Sequence, residues 1–175
     1  MQMPGANVLP FLIMIPLIAW RMYARIRRNI GRQTLSKVRP WITIGIFPLL
    51  IVLLSIGAYA HHRAALFAAM AGGITGGIVL GIYGLRHTKF AVTPEGLFYT
   101  PNAHIGIALS VLFVGRVVYR MFVLYSMNPY APLNPGDFAA SALTLGIFGL
   151  LAGYYVTYAI GLVRWRLGVE RDARA

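Results

Sequence analysis

The hydrophobic pattern of the chain consists of five long apolar stretches separated by short polar or basic segments. Each stretch comes close to the roughly 20 residues that a helix needs to cross a bilayer. The stretches cover residues 6–23, 41–60, 64–85, 104–126 and 138–163. The pattern predicts an all-α integral membrane protein, a single domain over residues 1–175 that is built as a bundle of five transmembrane helices.

The third stretch, residues 64–85, carries six glycines and no ionisable group. Its glycines recur four residues apart, and the fifth stretch repeats this spacing. Small residues at this spacing let helices approach closely in a membrane. We therefore expect this helix to be the packing centre of the bundle and to help its neighbours shield the arginines of the fourth stretch. The glycines predicted to pack helices together are Gly72, Gly73, Gly76, Gly77, Gly81, Gly149 and Gly153.

The polar loop between the third and fourth stretches alternates as β-strands do. Residues 88–92 and 97–100 flank Thr93-Pro94-Glu95-Gly96, a sequence that suits a type I turn. The pattern predicts a small β-hairpin between the third and fourth helices. An isolated hairpin is marginally stable in water, so we expect this one to rest on the end of the bundle or on lipid head groups.

The basic residues are distributed unevenly along the chain, which has 16 Lys and Arg, four Asp and Glu, and a net charge of +12. Nearly all of them fall on one side of the five predicted spans. The positive-inside rule then places the N-terminus outside, with the C-terminus and the hairpin in the cytoplasm. Residues 21–39 contain seven basic residues and no acidic one, which indicates contact with anionic lipid head groups rather than nucleic acid.

Two arginines lie inside the fourth stretch, Arg116 near its middle and Arg120 one turn further on. A central arginine costs about 2.5–3.5 kcal/mol on the membrane-insertion scale, and no predicted span contains Asp or Glu. We expect Arg120 to reach towards Asp137 in the outer loop. For Arg116 the alternatives are a structural role, with hydrogen bonds to backbone carbonyls or to hydroxyls such as those of Tyr154, Thr157 and Tyr158, and the binding of an anionic ligand such as a lipid phosphate or a propionate.

Four histidines lie at the ends of the predicted spans. His61 and His62 are adjacent in a short turn and cannot both face one metal ion from a regular helix, so no metal site is predicted there. His87 and His104 flank the predicted hairpin and are candidates for binding haem or a metal, with interfacial histidines that bind nothing as the default. The chain has no cysteine, which excludes disulfide and thiolate chemistry.

A family resemblance is carried by the segment TKFAVTPEGLFYTPNAHIGIALSVLFVGRVVYR, together with GDF at the start of the last stretch and VRWR at its end. This order of elements resembles the bacterial CcdC family of small membrane proteins, named for an association with cytochrome c biogenesis. The resemblance covers about half the chain and includes the arginine at position 116. It implies a multi-pass protein of the bacterial cytoplasmic (inner) membrane with a link to haem or cytochrome assembly; haem is the cofactor that this link suggests.

The sequence lacks familiar catalytic motifs, including H-E-x-x-H, the phosphate-binding G-x-x-x-x-G-K-[ST] and G-x-S-x-G. We therefore expect no enzymatic activity and name no catalytic residue. The first hypothesis is a non-enzymatic accessory or assembly protein that presents its surface to a membrane-protein partner, to a second copy of itself or to haem. The alternative is a small transport or lipid-binding protein that holds an anion with Arg116 and Arg120.

Overall fold

The computed structural model describes residues 33–36, 38–59, 64–94, 96–101, 103–127 and 141–173. These residues form four long helices and a small antiparallel sheet. The helices are α1 (Arg39–Tyr59), α2 (Ala64–Arg86), α3 (Ala103–Met127) and α4 (Ala142–Asp172). The strands are β1 (Gln33–Thr34), β2 (Lys89–Thr93) and β3 (Gly96–Thr100).

The four helices are all long and apolar enough to span a membrane, and they correspond to the last four predicted spans. The mainly helical membrane architecture is therefore supported. The first predicted span (6–23), most of the basic segment 21–39, the turn at His61 and His62, and Asp137 lie outside the described residues. Five helices and an outer N-terminus stay predictions.

The last helix differs from its predicted span of 138–163 at both ends. It begins at Ala142 because Ser141 caps it, with the Ser141 hydroxyl accepting a hydrogen bond from the backbone N–H of Thr144 at 3.4 Å. Near its end, Arg166 Nε donates to the Glu170 carboxylate at 2.7 Å, an i,i+4 pair that supports a helix beyond the membrane. An apolar pattern marks where a span ends, and this helix continues past that point.

The loop between α2 and α3 forms the predicted hairpin. Lys89 lies opposite Thr100, and Thr93 lies opposite Gly96, whose φ of +133° favours glycine. A third strand, β1, pairs antiparallel with β3 and gives the sheet the order β1-β3-β2. The sequence predicted only the two-stranded ribbon, because the two residues of β1 are too few to show an alternating pattern.

The centre of the bundle is α4, since α1, α2 and α3 all pack against it and it contains most of the buried residues. The expectation that the glycine-rich α2 is the packing centre was wrong. The glycines of α2 allow a close approach, but in the described residues this approach is to α4 alone. Elsewhere α2 exposes large apolar side chains such as Val79.

The helices α2 and α4 run parallel and pack backbone to backbone. A Cβ added to Gly81 would lie 2.8 Å from Cβ of Thr157, and one added to Gly149 would lie 3.1 Å from the backbone N of Ile74. These distances leave no room for a side chain. The other glycines with backbone neighbours this close are Gly73, Gly77 and Gly153.

Gly72 and Gly76 occupy different positions on α2. A Cβ at Gly76 would meet only the end of the Leu150 side chain, at 3.1 Å. At Gly72 no atom of the described residues lies within 4 Å of such a Cβ. The glycine stripe is therefore divided between a face that packs on α4 and a position that does not.

Two apolar clusters fill the bundle along α4. One joins α1, α2 and α4 and contains Ala58, Leu66, Met70 and Leu145. The other joins α3 and α4 through Leu109, Leu151 and Tyr154. The second lies nearer to the end of the bundle that carries the sheet, which we call the sheet end; the opposite end, where α4 begins, we call the far end.

Candidate functional site: Arg116 and the tyrosines of α4

Arg116 extends from α3 to the first turn of α4. Its Nε donates a hydrogen bond to Oγ1 of Thr144 at 3.3 Å, and its Nη2 donates to Oγ of Ser141 at 3.1 Å. The ring of Tyr119, about one turn along α3, has its centroid 5.5 Å from the guanidinium carbon, within the range of a cation–π interaction. Arg116 is therefore held by two hydroxyl groups and one aromatic ring.

Among the described residues, no negative charge lies beside Arg116. Its hydrogen-bond partners are neutral, and the first turn of α4 contains no acidic residue. The start of a helix carries about half a positive charge. Arg120 lies half-buried one turn further along α3 and has an interaction of its own. The acidic residues that the structure describes, Glu170 and Asp172, lie at the sheet end of α4. No described carboxylate balances the charge of Arg116, so the site is suited to an anion.

The structure does not bring Tyr154 or Tyr158 to Arg116. Arg116 bonds at the far end of α4, whereas the Tyr158 hydroxyl lies 2.8 Å from Oγ1 of Thr88 at the sheet end. In the described residues the glycines of α2 pack on α4, while Arg116 reaches α4 from α3. The expectation that the glycine-rich helix helps to shield the arginines stays a prediction.

The two hydroxyl partners of Arg116 were not identified from the sequence, although a signal for them was present. Ser141 immediately precedes an apolar run, which is the usual position of a helix N-cap. Since α3 and α4 are antiparallel, the second half of α3 faces the first half of α4. Combining these two points would have placed Ser141 and Thr144 within reach of Arg116.

A second polar group, the tyrosine cluster, consists of Tyr154, Tyr155 and Tyr158 on α4. Tyr154 is 3% exposed, and its ring centroid lies 5.3 Å from that of Tyr155 and 5.9 Å from that of Tyr158. The Thr88 hydroxyl donates to the carbonyl of Gly84 at 2.8 Å. Because that bond uses the only proton of Thr88, the Tyr158 hydroxyl is the donor in its own bond to Thr88.

Tyr155 links the cluster to α3. Its hydroxyl lies 3.0 Å from Oγ of Ser110 and 3.3 Å from the carbonyl oxygen of Gly106. Gly106 leaves room for both rings, since a Cβ there would lie 3.3 Å from Cε1 of Tyr154 and 3.4 Å from the Tyr155 hydroxyl oxygen. The cluster is neutral, and the hydroxyls of Tyr155 and Tyr158 both have partners. It therefore ties α2, α3 and α4 together and offers no charged group to a ligand.

The two candidate histidines have separate surroundings. His87 follows α2, with Nδ1 2.9 Å from the carbonyl of Tyr83 and its ring 4.2 Å from the Tyr83 ring, so it caps the last turn of the helix. His104 is exposed in the first turn of α3. Within the described residues, no three His, Cys, Asp or Glu side chains lie together in a way that could hold a metal ion.

A small cavity of about 80 Å³ lies at the sheet end, between the start of α1 and the last part of α4. Trp41 and Leu162 form part of its apolar wall. Ser36 and Arg166, whose charge is paired with Glu170, are the polar residues of the lining. Pockets for small molecules usually measure about 300–1,000 Å³. This cavity does not fit a haem.

The sheet is attached to α4 by an aromatic contact. The ring centroids of Phe90 and Trp165 lie 4.6 Å apart. On the neighbouring strand Tyr99 lies opposite Phe90, and burial raises the pKa of the Tyr99 hydroxyl above its usual value of 10, with the nearby charge of Arg39 acting in the opposite direction. The sheet therefore packs on the bundle through aromatic side chains.

The chain is similar to known proteins along most of its length. A family model described as "CcdC protein" matches residues 7–170. Protein csk22 of Bacillus subtilis (strain 168) is 28% identical over 153 residues, which cover 85% of this chain and 82% of that protein. No solved structure matches.

Proposed function

Because the chain belongs to the CcdC protein family, we propose that it is a non-enzymatic accessory or assembly protein of the bacterial cytoplasmic membrane that takes part in cytochrome c biogenesis. The observation that carries the proposal is the match of the family model over residues 7–170. That range includes the whole sheet, α1 to α3 and almost all of α4. The proposal takes the link to cytochrome c from the name of the family.

The polar groups inside the described bundle support a helper rather than a pump. The tyrosine cluster is neutral, and its hydroxyls are hydrogen-bonded to Thr88 and Ser110. Arg116 is hydrogen-bonded to two hydroxyl groups. Proton-coupled transport relies on carboxylates or histidines within the membrane, and the described carboxylates lie on the tail of α4. These groups therefore suit a bundle that binds a partner protein better than one that transports protons.

The outward faces of the helices offer surface for such a partner. On α1 a run of large apolar side chains is exposed, among them Ile46, Leu49 and Leu53. On α3 Leu112 and Phe122 are exposed in the same way. In a membrane these faces contact lipid or another membrane protein, and an assembly protein would use them to hold its partner within the bilayer.

The proposal is tested by deleting the gene in its bacterial host. We expect the haem-staining bands of c-type cytochromes to weaken or disappear from membranes of the deletion strain, and a plasmid copy of the gene to restore them. The b-type cytochromes, whose haem is not covalently attached, serve as the control and are expected to stay unchanged. Normal c-type cytochromes in the deletion strain, or equal loss of both types, would contradict the proposal.

A further inference from the structure

The Arg116 site lies at the lipid-facing edge of the bundle. Arg116 itself is half-buried, and two residues beside it, Tyr119 on α3 and Leu143 on α4, are each 59% exposed. Phe122, one turn along α3 from Tyr119, is 65% exposed. The site therefore opens sideways between α3 and α4, towards the region that acyl chains occupy.

Within the described residues, the guanidinium of Arg116 has partners for two of its N–H groups. An arginine has five N–H groups, and the bonds to Thr144 and Ser141 use one from Nε and one from Nη2. The other three have no acceptor among the described residues. A planar guanidinium with two or more available N–H groups matches the spacing of phosphate oxygens and binds them as a bidentate pair.

The charge of the site selects for an anion. Arg116 lies within a membrane-spanning helix, where an uncompensated charge is costly. Its bonds to two neutral hydroxyls do not remove the charge, and the start of α4 adds a positive partial charge at the same place. A negative group placed beside Arg116 and the start of α4 would offset both the charge of Arg116 and the positive partial charge of the helix start.

We propose that Arg116, with Ser141 and Thr144, binds the phosphate group of an anionic phospholipid. The apolar side chains that flank the site favour a lipid over a soluble anion, because acyl chains can lie against them while the phosphate group reaches Arg116. A free phosphate would have to leave water for a site that opens towards hydrocarbon, which is costly for a charged group. The inference does not depend on a role in cytochrome c biogenesis, and it goes beyond that role by assigning a ligand to the bundle.

The test uses the full chain in nanodiscs of phosphatidylcholine alone or mixed with phosphatidylglycerol. Bound phosphatidylglycerol is counted by native mass spectrometry after release from the discs, for wild type, Arg116→Gln, Arg116→Lys and Arg171→Gln. Arg171 is an exposed arginine in the last turn of α4 and is the matched control. We expect Arg116→Gln to retain about tenfold less phosphatidylglycerol than wild type, Arg116→Lys to be intermediate, and Arg171→Gln to be unchanged.

A thermal scan separates the sources of the phosphate. We expect phosphatidylglycerol to raise the Tm of wild type relative to phosphatidylcholine and to lose this effect in Arg116→Gln. If inorganic phosphate in detergent raises the Tm of wild type by the same amount, the site binds a soluble anion and the proposed lipid ligand is overturned. The proposal is contradicted if wild type and Arg116→Gln retain equal amounts of phosphatidylglycerol. It is also contradicted if Arg116→Gln lowers the Tm by the same amount in both kinds of nanodisc, since Arg116 would then only hold α3 and α4 together. If Arg116→Gln does not fold, Arg116→Lys decides, since lysine lacks the planar fork that the proposed bidentate contact needs: retention of phosphatidylglycerol equal to wild type by this variant overturns the proposal.

Discussion

At the scale of single residues, glycines decide how closely α2 and α4 approach. Gly77 and Gly72 lie on the same helix, five residues apart, yet only Gly77 faces α4. A Cβ on Gly77 would lie 2.7 Å from the backbone N of Tyr154, and backbone atoms cannot move aside as the end of a side chain can. The same substitution therefore has opposite expected effects at the two positions.

We expect Gly77→Ala to destabilise the bundle by about 1–3 kcal/mol, the usual cost of overpacking. The matched change Gly72→Ala is expected to be neutral or to stabilise by up to about 1 kcal/mol, because alanine is the better helix former and no described atom opposes it. Unfolding of the purified variants in detergent measures both changes. Equal loss of stability in the two variants would contradict the packing of α2 on α4.

Hydroxyl groups connect the helices at both ends of the bundle. The Thr88 hydroxyl donates a hydrogen bond to the carbonyl of Gly84 on α2 and accepts one from Tyr158 on α4. One small side chain therefore joins α2 to α4 at the sheet end of the bundle. Arg116 makes the corresponding link at the far end, between α3 and Ser141. The Thr88–Tyr158 link is neutral, whereas the Arg116–Ser141 link carries a positive charge. For this reason only the Arg116 link is a candidate for binding an anion.

At the scale of elements, the sheet is the part of the fold that pH is expected to affect. Burial raises the pKa of Tyr99 above its usual value of 10. The folded protein therefore keeps this proton at a pH at which the unfolded chain loses it. The stability that depends on Tyr99 is complete below about pH 10 and falls as the pH rises from there through the higher pKa of the folded state.

We expect wild type to lose more stability than Tyr99→Phe between about pH 8 and pH 11, since phenylalanine has no proton to lose. Each protein is compared with itself at the lower pH, so that the other tyrosines and the lysines contribute equally to both. Thermal unfolding in detergent, followed by tryptophan fluorescence to which Trp165 beside the sheet contributes, gives the measurement. Identical pH profiles for the two proteins would show that the Tyr99 hydroxyl is not buried on folding.

The sequence predicts elements well where a pattern reports directly on burial. Apolar runs located the four described helices, and the turn at residues 93–96 located the hairpin. The strand β1 was missed because its two residues pair with β3 from a distant part of the chain. The end of α4 was missed because a helix can continue beyond the membrane on polar pairs such as Arg166 with Glu170.

The partners of a residue were harder to predict than its place in an element. The sequence shows that Arg116 lies inside a span without a carboxylate, and both statements hold for the described residues. It does not show how the helices are arranged around one another, and that arrangement decides between Tyr158 and Ser141 as the partner. Likewise, closely spaced glycines show that another helix can approach α2 closely. How many helices do so depends on the arrangement of the whole bundle.

At the scale of the whole molecule, positive charge is concentrated at the sheet end. Apart from Arg116 and Arg120 within α3, every described basic residue lies there: Arg39, Arg86, Lys89, Arg164, Arg166 and Arg171. Cytoplasmic segments of membrane proteins carry this excess of Lys and Arg. The distribution favours an orientation with the sheet in the cytoplasm and the start of α2 at the outer surface.

Single cysteines can test this orientation because the native chain contains none. Val92 in the hairpin is 62% exposed, and Ala64, the first residue of α2, is also exposed. We expect a maleimide that cannot cross the membrane to label Ala64→Cys in intact spheroplasts, and to label Val92→Cys only after lysis. Ala173→Cys, just beyond the end of α4, should behave as Val92→Cys does, since both lie at the sheet end. Labelling of Val92→Cys in intact cells would reverse the orientation and place the start of α4, with the Arg116 site, near the cytoplasmic leaflet.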